Sequence, residues 1–192
     1  MRKCKFCQKK VDKNNGLVVN VNAFCNWTCV YSYAKSDKAK KEGDKILRKE
    51  HASRKEKLKT IPQRLSEAQI AFNSYIRVRD RFKSCVSCGK PPTEYGRGGG
   101  IDASHYLSRG ATNGGSYRRY DPLNVWAACK SCNRYLAGNL VPYRVELIKR
   151  IGIKRVEEIE ATNKIKKWNH TDLRRIKTIF NKKRKLYEQR FR

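Results

Sequence analysis

Apolar and polar positions along the chain predict helices at both ends of a short-stranded centre. After Pro62, the segment QRLSEAQIAFNSYIRVRDRF places Leu65, Ala68, Phe72, Tyr75 and Phe82 on one face at helical spacing. That face either packs on the central core or forms a dimer seam, which Arg79 interrupts. A second amphipathic helix is expected from Thr171 as N-cap through Leu173, Ile176, Phe180 and Tyr187. Its other face is cationic, with Lys182, Lys183, Arg184 and Lys185 offered to phosphates or simply to solvent. YRVELIKRIG and IKRVEEIEAT predict two shorter helices broken at Gly152. Alternation in IDASHY and the apolar run NVWAA predict two strands that can pair, and LVVNV near the N-terminus predicts another. Lys130 to Ala137 reads as a short helix ended by Gly138. Residues 34–62 are Lys-rich with few large apolar groups, a solvated helix or linker.

Charge changes this picture more than composition does. Among 192 residues, 46 Lys and Arg face 17 Asp and Glu, a formal charge of +29. A polyanionic partner, nucleic acid above all, is the expectation. The apolar runs LVV and VWAAC are far too short to cross a membrane. The N-terminus MRKCKFC lacks the apolar segment of a secretory signal, so a cytosolic location is expected.

Cysteine usage supplies the chemistry. In a reducing compartment, eight cysteines in short-spaced pairs favour zinc over disulfides. Cys4, Cys7, Cys25 and Cys29 can close one tetrahedral site, which supplies folding energy to a unit too small to bury an adequate core. That unit is either a docking module, for DNA or for protein, or a plain zinc staple. Cys85, Cys88, Cys129 and Cys132 form the stronger signal, two CxxC knuckles expected to make a closed structural zinc site. A closed site has no open position for water, so the reaction needs another centre.

His105, in IDASHY between the knuckles, is the candidate base. A near-neutral imidazole can take a proton from water attacking a phosphodiester. Mg2+ or Mn2+ prefers oxygen donors, which suits the Asn133 side-chain carbonyl and the Asp102 carboxylate. Arg97, Arg109, Arg118 and Arg119 lie in the loops around this centre, as phosphate clamps or as solvated cations. The glycines at 98–100 and 114–115 suit tight turns and lack the spacing of a nucleotide-binding loop. His51 and His170 sit in basic helical surroundings and carry no proposed chemistry.

This constellation resembles the HNH, or ββα-metal, endonucleases. On that resemblance His105 is the general base, Asn124 holds the loop, and Asn133 binds the catalytic metal. Many members have Asp directly before the base; this chain has Ser104 there, with Asp102 two residues earlier. SCVSCGK, DASHYLSRG, CKSCNRYLAGN, RIGIKRVEEIE and WNHTDLRRI, together with CKFC and FCNWTC, resemble the NinG (Rap) recombination endonucleases of lambdoid phages over most of the chain. The resemblance implies structure-selective cleavage of Holliday junctions and D-loops in the cytoplasm of a bacterial host. It further implies a homodimer, recombination-protein partners, and 5′-phosphate and 3′-hydroxyl products.

The expected fold is therefore α+β, with a zinc-stabilised HNH-like core, helical flanks and an N-terminal Cys4 module. The expected divisions are the zinc module at 1–33, the basic linker at 34–62, the amphipathic helix and nuclease core at 63–140, and a basic helical region at 141–192. Two other readings compete: a non-catalytic zinc-dependent protein that binds DNA junctions, and an RNA-directed nuclease or binder.

Overall fold

A computed structural model describes residues 2–12, 16–92, 100–110 and 116–190. Arg97, Gly98, Gly99, Gly114 and Gly115 lie outside the described residues. The chain divides into two compact units, 1–59 and 60–192.

In the first unit, strands β1 (Leu17–Val19) and β2 (Asn22–Phe24) form an antiparallel hairpin in which Leu17 faces Phe24. The turn between them uses Asn20 at φ +56°, shortening the strand that the sequence suggested. Helix α1 (Trp27–Ala34) starts at Asn26, whose side chain accepts the Cys29 N–H, satisfying a donor that the helix leaves unpaired. A small core gathers Cys4, Val11, Ala23, Phe24 and Tyr33. Helix α2 (Asp37–Lys57) follows with no buried residue. Tyr33 Oη donates to Glu42 Oε2 at 2.6 Å, and Lys5 pairs with the same carboxylate at 3.1 Å, tying the start of α2 to this core.

The second unit begins with helix α3 (Ile61–Arg79), with Pro62 in its first turn and the Thr60 N–H held by Gln63 Oε1. Its apolar face is buried within the same unit. Phe72 and Tyr75 meet helix α6 (His170–Gln189) at Phe180 and Tyr187, with Phe72 and Phe180 edge to face at 4.7 Å. This packing excludes that face as a dimer seam. The helix also stops before Phe82, which is 69 % exposed and contributes nothing to the face. Helix α6 takes Asn169, and not Thr171, as its N-cap: Asn169 Oδ1 accepts the Asp172 N–H at 2.8 Å.

Strands β3 (Ile101–His105) and β4 (Val125–Cys129) pair antiparallel, with His105 opposite Val125 and Ile101 opposite Cys129. Every residue of β4 is buried. Val125 joins the α3–α6 core, whereas Trp126 and Ala128 join a second core with Tyr143, Leu147 and Val156. Those last residues come from helices α4 (Leu140–Ile151) and α5 (Ile153–Glu160), broken at Gly152, whose φ of +86° suits glycine. Among the described residues, no helix is long and apolar enough to cross a membrane.

An ion pair fastens α3 to β4. Asp80 is fully buried; it accepts from Arg79 Nε at 2.8 Å and from the Ala127 N–H at 3.2 Å. Arg79 in turn donates to the carbonyls of Pro122 and Val125, both at 2.8 Å, and lies over Trp126. Arg79 is thus no flaw in the apolar face; it is the clamp at its end. Because removing one partner leaves a buried charge uncompensated, Asp80→Ala is expected to lower unfolding stability by about 3–5 kcal/mol. Urea denaturation followed by circular dichroism checks this.

Candidate active site

Four elements converge on an open cleft of about 470 Å3. Strand β3 contributes Asp102, Ser104 and His105, and helix α3 contributes Asn73 and Arg77. The loop after β3 contributes Ser108 and Arg109, and the turn after β4 contributes Asn133, Ala137 and Gly138.

His105 is oriented by the backbone. Its Nε2 lies 3.0 Å from the Arg119 carbonyl oxygen, which can only accept, so Nε2 carries the proton and Nδ1 is the nitrogen able to take one. Burial pushes its pKa down to about 4, and the nearby Arg109 and Arg119 guanidinium groups act in the same direction. The Arg119 and Ala103 carbonyls oppose that shift without cancelling it. The imidazole is therefore neutral throughout the near-neutral range.

Asn124 is fully buried and pins the loop between the strands. Its Oδ1 accepts the Leu107 N–H at 2.8 Å, while Nδ2 donates to the carbonyls of Leu107 (3.1 Å) and Arg118 (3.2 Å). The second of these fixes the peptide adjoining Arg119, whose carbonyl orients His105. The Arg119 side chain is held by Gln69 Oε1 at 2.9 Å, and Gln69 Nε2 donates to Asn73 Oδ1 at 2.8 Å. A polar chain therefore runs from Arg119, whose carbonyl orients His105, to the cleft wall.

Asn133 sits on a π-helical turn, Ser131–Tyr135, where a short α-helix was expected. Its Nδ2 donates to Asp102 Oδ2 at 3.1 Å, which leaves Asn133 Oδ1 as the atom available to a cation. Asp102 also receives Arg134 at both oxygens, at 2.7 and 3.2 Å. That guanidinium first, then Asn133, hold the Asp102 carboxyl below its ordinary pKa despite burial. The donor set, an amide oxygen beside an ionised carboxylate, suits Mg2+ or Mn2+, with Arg134 competing for the carboxylate.

The four sulfurs of Cys85, Cys88, Cys129 and Cys132 lie within 4.8 Å of one another, as do those of Cys4, Cys7, Cys25 and Cys29. Cys88 to Cys129 measures 3.8 Å and Cys7 to Cys25 measures 3.6 Å. A tetrahedral ion with Zn–S bonds of about 2.3 Å requires sulfur separations of roughly 3.8 Å, whereas a disulfide needs about 2.05 Å. Backbone N–H groups aim at the sulfurs, Cys129 N–H at Cys85 Sγ (3.3 Å) and Cys132 N–H at Cys129 Sγ (3.5 Å), as thiolate ligands require. Burial raises the Cys85 thiol's pKa, but N–H groups of Cys88, Cys129 and Ser87 outweigh it and the net shift is downward. Cys4 behaves alike, drawn down to about 6. Both clusters could hold zinc.

The predicted phosphate ligands separate by surroundings. Arg109 lines the cleft. Arg118 braces the fold, bonded to Asp121, Thr162 and the Glu158 carbonyl. Lys182 is exposed on α6; Lys183 lies over Tyr75 and Phe180, and Arg184 pairs with Glu188 at 3.7 Å. His170 Nδ1 accepts from Arg64, and His51 is exposed on α2. Sequence reasoning missed Asn73, Arg77, Ser108 and Arg134. Gln69, Asn73 and Arg77 recur every four residues on α3, a polar stripe that could have been read as a second functional face.

Two zinc equivalents per chain are expected by metal analysis, and Cys132→Ser should release one of them while weakening the order of the Asn133 turn.

A family model described as "Bacteriophage Lambda NinG protein" matches residues 1–190. Protein ninG of Salmonella phage P22 is 39 % identical over 132 residues, which is 69 % of this chain and 61 % of that protein. Protein ninG of Escherichia phage 933W is likewise 39 % identical, and that of Escherichia phage lambda 38 %, over the same share of this chain. The matched part thus spans about three-fifths of the relatives' own length, 61–62 %. No solved structure matches. The chain belongs to the phage lambda NinG family.

Proposed function

We propose that the chain is a metal-dependent endodeoxyribonuclease of the HNH type that cleaves branched recombination intermediates such as Holliday junctions and D-loops. The observation that carries this reading is the meeting, in one cleft, of a neutral, carbonyl-oriented imidazole with the hydrogen-bonded Asp102 carboxylate and Asn133 amide. His105 Nδ1 takes the proton of a water whose oxygen forms the new bond to phosphorus. The P–O3′ bond breaks, leaving a 5′-phosphate and, once the leaving oxygen gains a proton, a 3′-hydroxyl. Asn133 Oδ1 and Asp102 would hold the divalent ion, which when bound neutralises charge on the phosphate and leaving oxygens. Asn124 keeps the loop and the Arg119 carbonyl in register with the base. Arg77 and Arg109 draw the phosphate into the cleft. The substrate class, the divalent metal and a homodimeric assembly follow from the resemblance to the NinG (Rap) endonucleases.

One observation favours the non-catalytic alternative, a zinc-dependent junction binder: Arg134 engages both oxygens of Asp102, a pairing that can serve structure alone.

Cleavage of a synthetic four-way junction with Mg2+ or Mn2+ separates the two. His105→Ala should slow cleavage by about 10²- to 10⁴-fold, the range of one general base. Equal rates for variant and wild type would remove His105 from the chemistry, and no cleavage by wild type on any DNA would favour the binder.

The pH dependence has a definite sign. Protonation disables the base, and burial places that protonation near pH 4. Asp102 also stays ionised at and above its ordinary range. Cleavage should therefore persist to about pH 5 and fall as pH drops toward 4. Histidine NMR titration, with His105→Gln assigning the signal, should give no His105 midpoint above pH 5; a midpoint near the usual 6.5 would contradict the buried geometry.

A further inference from the structure

We propose that Tyr135 and Leu136 form a base-stacking wedge on the rim of the cleft, a subsite for an unpaired DNA base at a branch. The proposal rests on the nuclease reading for the identity of its ligand. Tyr135 is 82 % exposed and Leu136 54 %. Asn133, two residues before Tyr135, and Ala137, next after Leu136, line the cleft. The pair therefore projects from the short segment that borders the candidate metal site.

The segment is held stiffly. The Leu136 N–H bonds the Ser131 carbonyl at 3.2 Å, the Gly138 N–H bonds that of Cys132 at 2.8 Å, and the Asn139 N–H bonds that of Leu136 at 2.7 Å. Ser87 Oγ, from the opposite cysteine knuckle, donates to the Gly138 carbonyl at 2.7 Å. Ala137 and Asn139 both adopt left-handed φ values, +48° and +50°, which side chains other than glycine take at a cost.

The surroundings indicate the ligand. Lys130 precedes this turn and Arg109 lines the cleft, while Arg134 is already paired with Asp102, so the cations left for a partner here favour negative charge. An exposed phenol ring among cations fits a base with its phosphate, because every base presents a π face and a branch exposes bases that a duplex hides. The wedge thus supplies the selectivity for branches that a cationic cleft alone lacks.

The test uses the full chain carrying His105→Ala, so that DNA stays intact, and a fork with 2-aminopurine at the branch. Tyr135 should quench the probe, and Tyr135→Trp should keep the quenching. Tyr135→Ala should abolish it and lower the ratio of fork to duplex affinity by about 5- to 150-fold at matched salt, the loss of one base stack. Zinc content and melting temperature check folding; if the alanine variant fails them, Tyr135→Leu, which keeps apolar bulk without a ring, takes its place with the same expected loss. An unquenched probe with Tyr135 present, or an unchanged affinity ratio, overturns the wedge, and a protein or second copy as the true occupant would give that result. The two readings fail separately. Cleavage by the wild-type chain without quenching sinks the wedge alone, whereas quenching without cleavage by the wild-type chain sinks the nuclease alone.

Discussion

Four sulfur atoms from two distant segments, Cys85 with Cys88 and Cys129 with Cys132, impose the constraint on which the candidate site depends. Cys129 ends β4, and Cys132 lies inside the turn that carries Asn133. The first knuckle runs along the strand, since the Val86 N–H bonds the Ala127 carbonyl at 3.0 Å, and it reaches the far end of the turn through Ser87 and Gly138. Structural zinc at a four-thiolate site is worth about 10–16 kcal/mol, comparable with the whole stability of a domain. A hairpin of five-residue strands has no such reserve of its own. The frame that sets Asn133 against Asp102 is thus held by the cysteine cluster, apart from that pair.

The other side of the cleft is set by helix packing. Helix α3 buries Phe72, Tyr75 and Ile76 against α6 and β4, and the Arg79–Asp80 pair fixes how far it extends along the strand. With that register fixed, Gln69, Asn73 and Arg77 fall along the edge of the buried face. Gln69 reaches Arg119, and Asn73 and Arg77 reach the cleft. A helix that sequence periodicity marks as core also forms one wall of the site.

What could be read beforehand follows from the range of each interaction. Cysteine spacing, strand alternation and the order of His105, Asn124 and Asn133 are local or nearly periodic signals, and the structure brings all three of those residues to one hairpin and its turn. The Asn124 brace was legible only through the HNH resemblance, which gives that position the role of holding the loop; its burial and its bonds to Leu107 and Arg118 are what the structure adds. Arg134 was not legible, because an arginine one position after Asn133 reads as surface charge until Asp102 is known to lie 2.7 Å away. Arg79 read as a break in an apolar stripe, since sequence alone does not show Asp80 folding inward to meet it. The π-helical turn escaped for the same reason. Lys130 to Ala137 has ordinary helical composition; the wider winding shows only in its own bonds from Leu136 to Ser131 and from Gly138 to Cys132, with one tertiary bond from Ser87 to Gly138.

On the proposed nuclease reading, separate donor sets would let one small core hold two kinds of metal without confusion. Sulfur is soft and selects zinc, and at both clusters the backbone already points N–H groups at the thiolates. On the same reading, Asp102 and Asn133 would offer hard oxygen, the donor type that suits Mg2+ or Mn2+. Arg134 sharpens that difference. A cation reaching Asp102 would compete with an arginine that bonds both of its oxygens. A phosphate arriving with the cation gives that guanidinium a second anion to bind, so cation and DNA would favour each other's binding at this carboxylate and neither alone would hold it as firmly.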